Sequence, residues 1–267
     1  MMIMVAPNGA RRTRADHAAI PLTPEELAVT AGACLEAGAC AMHLHVRDAS
    51  GKHTLDPSRY RAALEAIRAR VGNRLLLQVT TEAVGIYSAE EQIAVVRELV
   101  PEAVSLAVRE LARAGEEAIA ALDRWMHEQG VLPQWILYST EELELINDWI
   151  RRDVLAASSY PLLFVLGKYK SSVAATPEML ENVTGLQEVP CWMACAFGSA
   201  EGLIMQSVAD LGGHARVGFE NNLVGPDGQL AADNASLVRS LADYLHAGRK
   251  RRPATAEEAR EFLTPGC

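Results

Sequence analysis

Short apolar runs rich in Val, Ile and Leu alternate along the chain with longer stretches in which apolar residues recur every three or four positions. The runs at 3–7 (IMVAP), 40–46 (CAMHLHV), 74–81 (RLLLQVTT), 103–108 (AVSLAV), 132–138 (LPQWILY), 162–167 (LLFVLG), 191–197 (CWMACAF) and 214–220 (HARVGFE) predict strands. Helical spacing covers 24–38, 57–70, 88–98, 115–129, 140–157, 176–184, 199–211 and 234–247. The first of these helices carries its own punctuation, with Thr23 as N-cap, Glu26 three residues on and Gly38 as the closing residue.

Apolar strands separated by helices predict a parallel sheet covered on its faces. Eight such units in 267 residues fit an α/β fold of the (β/α)8 TIM-barrel type, with an open doubly wound sheet as the alternative. No linker or repeat divides the chain, so residues 1–267 read as one barrel domain. EEAREFL, after Pro253, predicts one extra C-terminal helix packed on the outside.

Composition narrows the partners. The chain is 49% hydrophobic and carries a formal net charge of −9, which disfavours nucleic acid and anionic membranes. RKRR at 249–252 reads as a solvated turn. The N-terminal run lacks a basic flank and no segment approaches a membrane span, so a cytoplasmic location is expected. Five cysteines, four of them in apolar stretches, read as reduced thiols; the C-x3-C of Cys191 and Cys195 reads as core packing.

In a barrel, chemistry gathers at the C-terminal ends of the strands. His43 and His45 lie two apart and so face the same side of their strand. Two adjacent imidazoles in a barrel mouth favour a divalent metal such as zinc, whose catalytic sites take three protein ligands. Glu220, in the strand that closes the ring, is the best third ligand and Glu82 the alternative; the competing reading makes one histidine a core residue and the other a general base. Arg216 lies four residues before Glu220 and points the same way. Thr80, Thr81 and Ser105 are candidate hydroxyl donors to substrate. His17, His53, His127, His214 and His246 read as loop or helix residues, and Arg47 with Asp48 as a structural pair.

HLHVRDASGKHTLDPSRY, IPLTPEELAVTAGACLEAGA and GGHARVGFENN, together with VAPNGARRT, VLGKY, DNASLV and ATAEEAR, follow one another in an order that resembles the β-keto acid cleavage enzymes, also known through 3-keto-5-aminohexanoate cleavage enzyme. The resemblance implies a zinc-bearing (β/α)8 barrel, a homotetramer in most members. Such enzymes condense a small β-keto acid with acetyl-CoA and split the adduct into acetoacetate and a new acyl-CoA. It implies His43, His45 and Glu220 as metal ligands and Arg216 as the active-site arginine.

The chain also departs from that family pattern. Asn221 stands where the family carries an aspartate expected to be the general base, and an amide accepts no proton at neutral pH. Arg11 replaces an acidic residue that positions a substrate amino group, and LPQWILYS lacks the acidic residues that commonly follow the proline. These exchanges favour a non-cationic substrate, with Arg11 or Arg12 available to a second acceptor group. Glu82 is then either the replacement base or a carboxylate orienting a zinc-bound histidine; Asp16 and His17 rank lower. Two other function classes compete: a zinc-dependent hydrolase or retro-aldol/Claisen lyase without CoA, and a non-catalytic metal- or ligand-binding barrel. GGH at 212–214 is too short to mark a CoA phosphate site.

Overall fold

A computed structural model describes residues 1–167, 175–181, 189–248 and 251–266. In chain order the strands are β1 (Ile3–Val5), β2 (Ala41–Leu44), β3 (Val46–Arg47), β4 (His53–Thr54), β5 (Leu76–Thr80), β6 (Ala103–Ala107), β7 (Leu132–Leu137), β8 (Leu162–Leu166), β9 (Trp192–Ala196) and β10 (His214–Val217). The helices are α1 (Pro24–Ala37), α2 (Pro57–Val71), α3 (Ala89–Leu99), α4 (Val108–Leu111), α5 (Glu116–Gln129), α6 (Thr140–Arg151), α7 (Pro177–Glu181), α8 (Glu201–Asp210), α9 (Asn234–Gly248) and α10 (Ala256–Leu263).

β1, β2, β5, β6, β7, β8, β9 and β10 close into a barrel in that order, and every neighbouring pair is parallel. This is the TIM-barrel-like fold that the sequence pattern predicts. β1 lies between β2 and β10, which sets the histidines of one neighbour across from the Glu220 turn that follows the other. The first helix is capped as expected: Thr23 and Glu26 form a reciprocal capping box, and Gly38 takes the left-handed conformation at the end.

The strands alternate two buried faces. Ile3, Val5, Leu77, Val79, Trp135, Leu137 and Phe164 pack outward under the helices. Met2, Met4, Ala41, Leu76, Ala103 and Met193 pack inward. Ala259 and Leu263 of α10 join the inward set and are fully buried, so the last helix closes the N-terminal end of the barrel instead of lying on its flank. Arg260 anchors it, donating from Nε to Glu102 at 2.7 Å.

Several boundaries differ from the sequence pattern. The second strand stops at Leu44, and residues 46–54 fold back as an antiparallel hairpin of β3 and β4. Asp48 makes the turn by accepting from the Ser50 amide at 2.8 Å and the Lys52 amide at 3.0 Å. The last strand ends at Val217, where Gly218 turns at φ +134° against the Ala6 carbonyl; a Cβ there would sit 2.5 Å from that oxygen. α6 ends at Arg151, two residues before Asp153 at φ +56°. Positions 182–184 of the sixth predicted helix, 168–169 of the VLGKY segment, 249–250 of RKRR and Cys267 lie outside the described residues.

Cys34, Cys40 and Cys195 are free and buried. Cys191 is disulfide-bonded, which corrects the expectation of a reduced thiol at that position. No helix among the described residues is long and apolar enough to cross a membrane.

Candidate active site

His43 lies one residue before the end of β2, and His45 sits in the break between β2 and β3. Their Nε2 atoms lie 3.2 Å apart. Oε2 of Glu220 is 3.7 Å from the first and 3.3 Å from the second. The three ligand atoms fall within 4.8 Å of one another, and all three residues are buried. His43 Nδ1 lies 2.8 Å from the Gln78 side-chain oxygen, an acceptor, so the proton belongs on Nδ1 and the Nε2 lone pair faces the cluster. Burial pushes His43 down to about 4 and His45 well below its usual value, leaving both rings neutral and able to ligate.

The carboxylate is also prepared. Burial alone would raise the Glu220 carboxyl, but Arg216 and the two imidazoles hold it well below the usual range. Arg216 Nη2 donates to Oε1 at 3.0 Å. Oε2 finds no hydrogen-bond partner among the described residues and faces the histidines. An unpaired buried oxygen of this kind costs roughly 1–3 kcal/mol unless something meets it. A cation held by two imidazole nitrogens and this oxygen would do so; the donor set fits a metal ion.

Close packing fixes these positions. A Cβ on Gly9, at φ +59°, would lie 2.6 Å from Glu220 Cγ, so only glycine lets the β1 loop pass the carboxylate. Asn8 ties the same loop to His45 by donating to its carbonyl at 3.0 Å and to that of Pro21 at 2.9 Å. Arg47 donates to the carbonyls of Gly9 and Arg12, so it and Asp48 are structural through different partners.

A pocket of about 440 Å³ opens above this cluster and is lined by Arg216, Glu220, Glu82, Arg11, Arg109 and Glu110, among others. Glu82 Oε2 is 3.8 Å from His45 Nδ1, longer than a hydrogen bond, and its side chain is 31% exposed. Burial, with Glu220 and Glu110 adding repulsion, pushes Glu82 up to about 7. Arg216 keeps two nitrogens, Nε and Nη1, without partners among the described residues.

The remaining candidates do not line the pocket. Thr80 Oγ1 accepts from the Glu82 amide at 3.0 Å, and Thr81 Oγ1 donates to the Ser105 carbonyl at 3.0 Å. Ser105 Oγ is buried and unpaired among the described residues. Asn221 is fully buried and neither atom of its amide has such a partner; its carbonyl accepts from Gly198 N at 3.2 Å and Arg12 Nη2 at 3.3 Å. Asp16 accepts from Thr13 in an exposed turn, and His17 Nε2 lies 2.9 Å from the Ala231 carbonyl beneath Phe219, away from the pocket. His214 Nδ1 accepts from the Met2 amide at 2.7 Å. That contact lies at the N-terminal end of the strands and takes GGH away from the mouth.

Two residues escaped the sequence reading. The β3–β4 hairpin returns His53 to the site, where its ring lies 5.2 Å from that of His45 and its Nε2 is 2.9 Å from the Glu82 carbonyl. Arg109 lies over the Tyr138 ring at 3.9 Å and donates from Nε to Glu142 at 2.5 Å. Glu142 also accepts from the Tyr138 amide at 2.6 Å. A histidine eight residues beyond His45, with turn residues between, is the one signal that hinted at the first; nothing local marks the second.

These observations define a (β/α)8 barrel with a candidate two-histidine, one-carboxylate metal centre beside a buried arginine. The chain belongs to the beta-keto acid cleavage enzyme family, whose model matches residues 1–264. It is 29% identical, over 99% of its length and 97% of the relative's, to the 3-keto-5-aminohexanoate cleavage enzyme of Fusobacterium nucleatum subsp. nucleatum. It is 26% identical to the 3-oxoadipate:acetyl-CoA acetyltransferase of Cupriavidus necator, over 98% of this chain and 94% of that one. Among solved structures, the complex of ObcA with oxaloacetate shares the fold at a TM-score of 0.71 and 17% identity, over 93% of this chain and 68% of that one.

Proposed function

We propose that this protein is a zinc-dependent acyltransferase that condenses a non-cationic β-keto acid with acetyl-CoA and releases acetoacetate and a new acyl-CoA. The observation that carries the reading is the convergence of His43, His45 and the unpaired Glu220 oxygen beneath a pocket that also presents Arg216 and Glu82. Family membership and the names of the relatives, an acetyl-CoA acetyltransferase among them, support it.

His43, His45 and Glu220 would hold the metal and leave a fourth position open. When bound, zinc supplies Lewis acidity for the keto oxygen and for the charge that develops on it. Arg216, tethered by Glu220, receives the substrate carboxylate with its unpaired nitrogens. Glu82, pushed up to about 7, takes the proton from the carbon between keto group and carboxylate. That carbon then attacks the thioester carbonyl; a carbon–carbon bond forms and the carbon–sulfur bond breaks. The released thiolate adds to the original keto carbon, the bond between that keto carbon and the attacking carbon breaks, and Glu82 returns the proton to the carbanion to give acetoacetate.

Arg11 and Arg109 on the pocket wall favour acids without a positive charge, and those with a second carboxylate above all. Incubation of zinc-loaded protein with acetyl-CoA and a panel of β-keto acids tests the proposal. Acetoacetate formation is expected; no product from a broad, carboxylate-rich panel with zinc bound would overturn it. Turnover without CoA would reassign the site to a hydrolase or lyase, and activity only in Asn221→Asp would mark the natural chain as a binding barrel.

A further inference from the structure

One line of buried polar side chains crosses the barrel interior beneath the site and belongs to none of the steps above. His43 Nδ1 meets Gln78 Oε1 at 2.8 Å, Gln78 Nε2 donates to Gln134 Oε1 at 3.0 Å, and Gln134 Nε2 donates to Met193 Sδ at 3.7 Å. The four residues come from β2, β5, β7 and β9, and none is more than 1% exposed. Two amides buried in the centre of a barrel are costly unless each finds a partner, so their presence calls for a reason.

The reason lies in the direction of the chain. A thioether sulfur accepts hydrogen bonds and donates none. The NH2 of Gln134 must therefore face Met193, which turns its oxygen towards Gln78. The NH2 of Gln78 must face that oxygen, which turns its own oxygen towards His43. His43 then carries its proton on Nδ1, and Nε2 presents a lone pair towards Glu220 Oε2 at 3.7 Å. Reversing the line would set the Gln134 oxygen against sulfur, acceptor against acceptor, and would offer an NH2 to Nδ1. The ring would then hold its proton on Nε2, the atom that must be bare to ligate.

We propose that Gln78, Gln134 and Met193 form a one-way hydrogen-bond line that fixes the His43 tautomer, so that an acceptor on the far side of the barrel sets the ligating nitrogen of the metal site. The inference rests on the metal reading above only for its consequence, since the tautomer exists without metal. All three are positioning residues, acting through His43.

Two measurements on the full-length protein test it. Proton–nitrogen correlation spectra of the metal-free protein at neutral pH report the His43 tautomer directly: Nδ1–H is expected in the natural chain and a mixture in Met193→Leu, a change that nearly conserves volume. Zinc affinity by chelator competition is expected to fall roughly 10- to 100-fold in Gln78→Met and by less in Met193→Leu, because the sulfur contact is weak. An Nε2–H tautomer in the natural chain, or unchanged zinc affinity in Gln78→Met, overturns the proposal. If Gln78→Met does not fold, a pure Nδ1–H signal in Met193→Leu overturns it instead. Absence of zinc binding by the natural chain sinks the metal reading, while the tautomer spectra still decide the line.

Discussion

Oε2 of Glu220 lies 3.3 Å from Nε2 of His45, and no hydrogen-bond donor among the described residues meets that oxygen. A buried carboxylate in this state is stabilised by Arg216 on one side and left open on the other. Replacing it with an amide of the same shape, Glu220→Gln, is expected to abolish stoichiometric zinc binding, measured as metal content after dialysis. Thermal unfolding of the natural chain with and without zinc is expected to show stabilisation by metal, about 2.7 kcal/mol when free zinc is 100 times its dissociation constant, read as a rise in unfolding temperature.

Gly9 offers a way to disturb the site without touching a ligand. In Gly9→Ala the new methyl group would lie 2.6 Å from Glu220 Cγ, on a backbone at φ +59° that disfavours alanine. Zinc affinity is expected to fall about tenfold or more, a loss of about 1.4 kcal/mol, with all three ligands still present. Equal affinity in the variant would show that the β1 loop yields freely.

Glu82→Gln separates base from ligand. Zinc content should stay near that of the natural chain while kcat falls roughly 10²- to 10⁴-fold, the usual contribution of a positioned base. A large loss of zinc with the same substitution would assign Glu82 to orienting His45.

The pH profile follows from the same group. A base works deprotonated, so kcat/KM should fall as pH drops through the Glu82 value, about 7 in the metal-free protein. A bound dication nearby moves that limb lower. For stability the sign is opposite: a carboxyl raised above its unfolded value stabilises the protein at low pH, and this contribution is lost as pH rises through about 7. Kinetics of the zinc-loaded protein and denaturation of the metal-free protein across roughly pH 4–9 check both.

Arg109→Met tests substrate charge. Glu142 and the Tyr138 ring hold the guanidinium by its Nε edge and one face, and no hydrogen bond occupies its other nitrogens among the described residues. KM for keto acids with a second carboxylate should rise about fivefold, the yield of a partly exposed ion pair, with monocarboxylic acids unaffected. A uniform change for both classes would place Arg109 outside substrate recognition.

Much of this fold is written in the chain because its strands are apolar on both faces, as a helix-covered parallel sheet requires, and because eight such units suit a closed barrel. The histidine pair is visible because two imidazoles break such a run at a spacing of two. The hairpin that returns His53 is not, since two-residue strands carry no period. Gln78 and Gln134 hide for a different reason: an amide within an apolar run looks like a tolerated exception until its partners from other strands are seen. Thr80 and Thr81 read as donors to substrate, but strand-end hydroxyls serve the backbone equally well, as theirs do. Asn221 stands out only against a family pattern, and its burial could not be read from one sequence.

With Ala259 and Leu263 sealing the lower end of the barrel, the site has a floor. If the proposed reaction runs here, its substrates and products share the mouth at the C-terminal ends of the strands. On the reaction proposed above, the small acid would enter before the bulkier thioester, and the new acyl-CoA would depart before acetoacetate. Acetyl-CoA in excess should therefore compete with its own co-substrate for the way in.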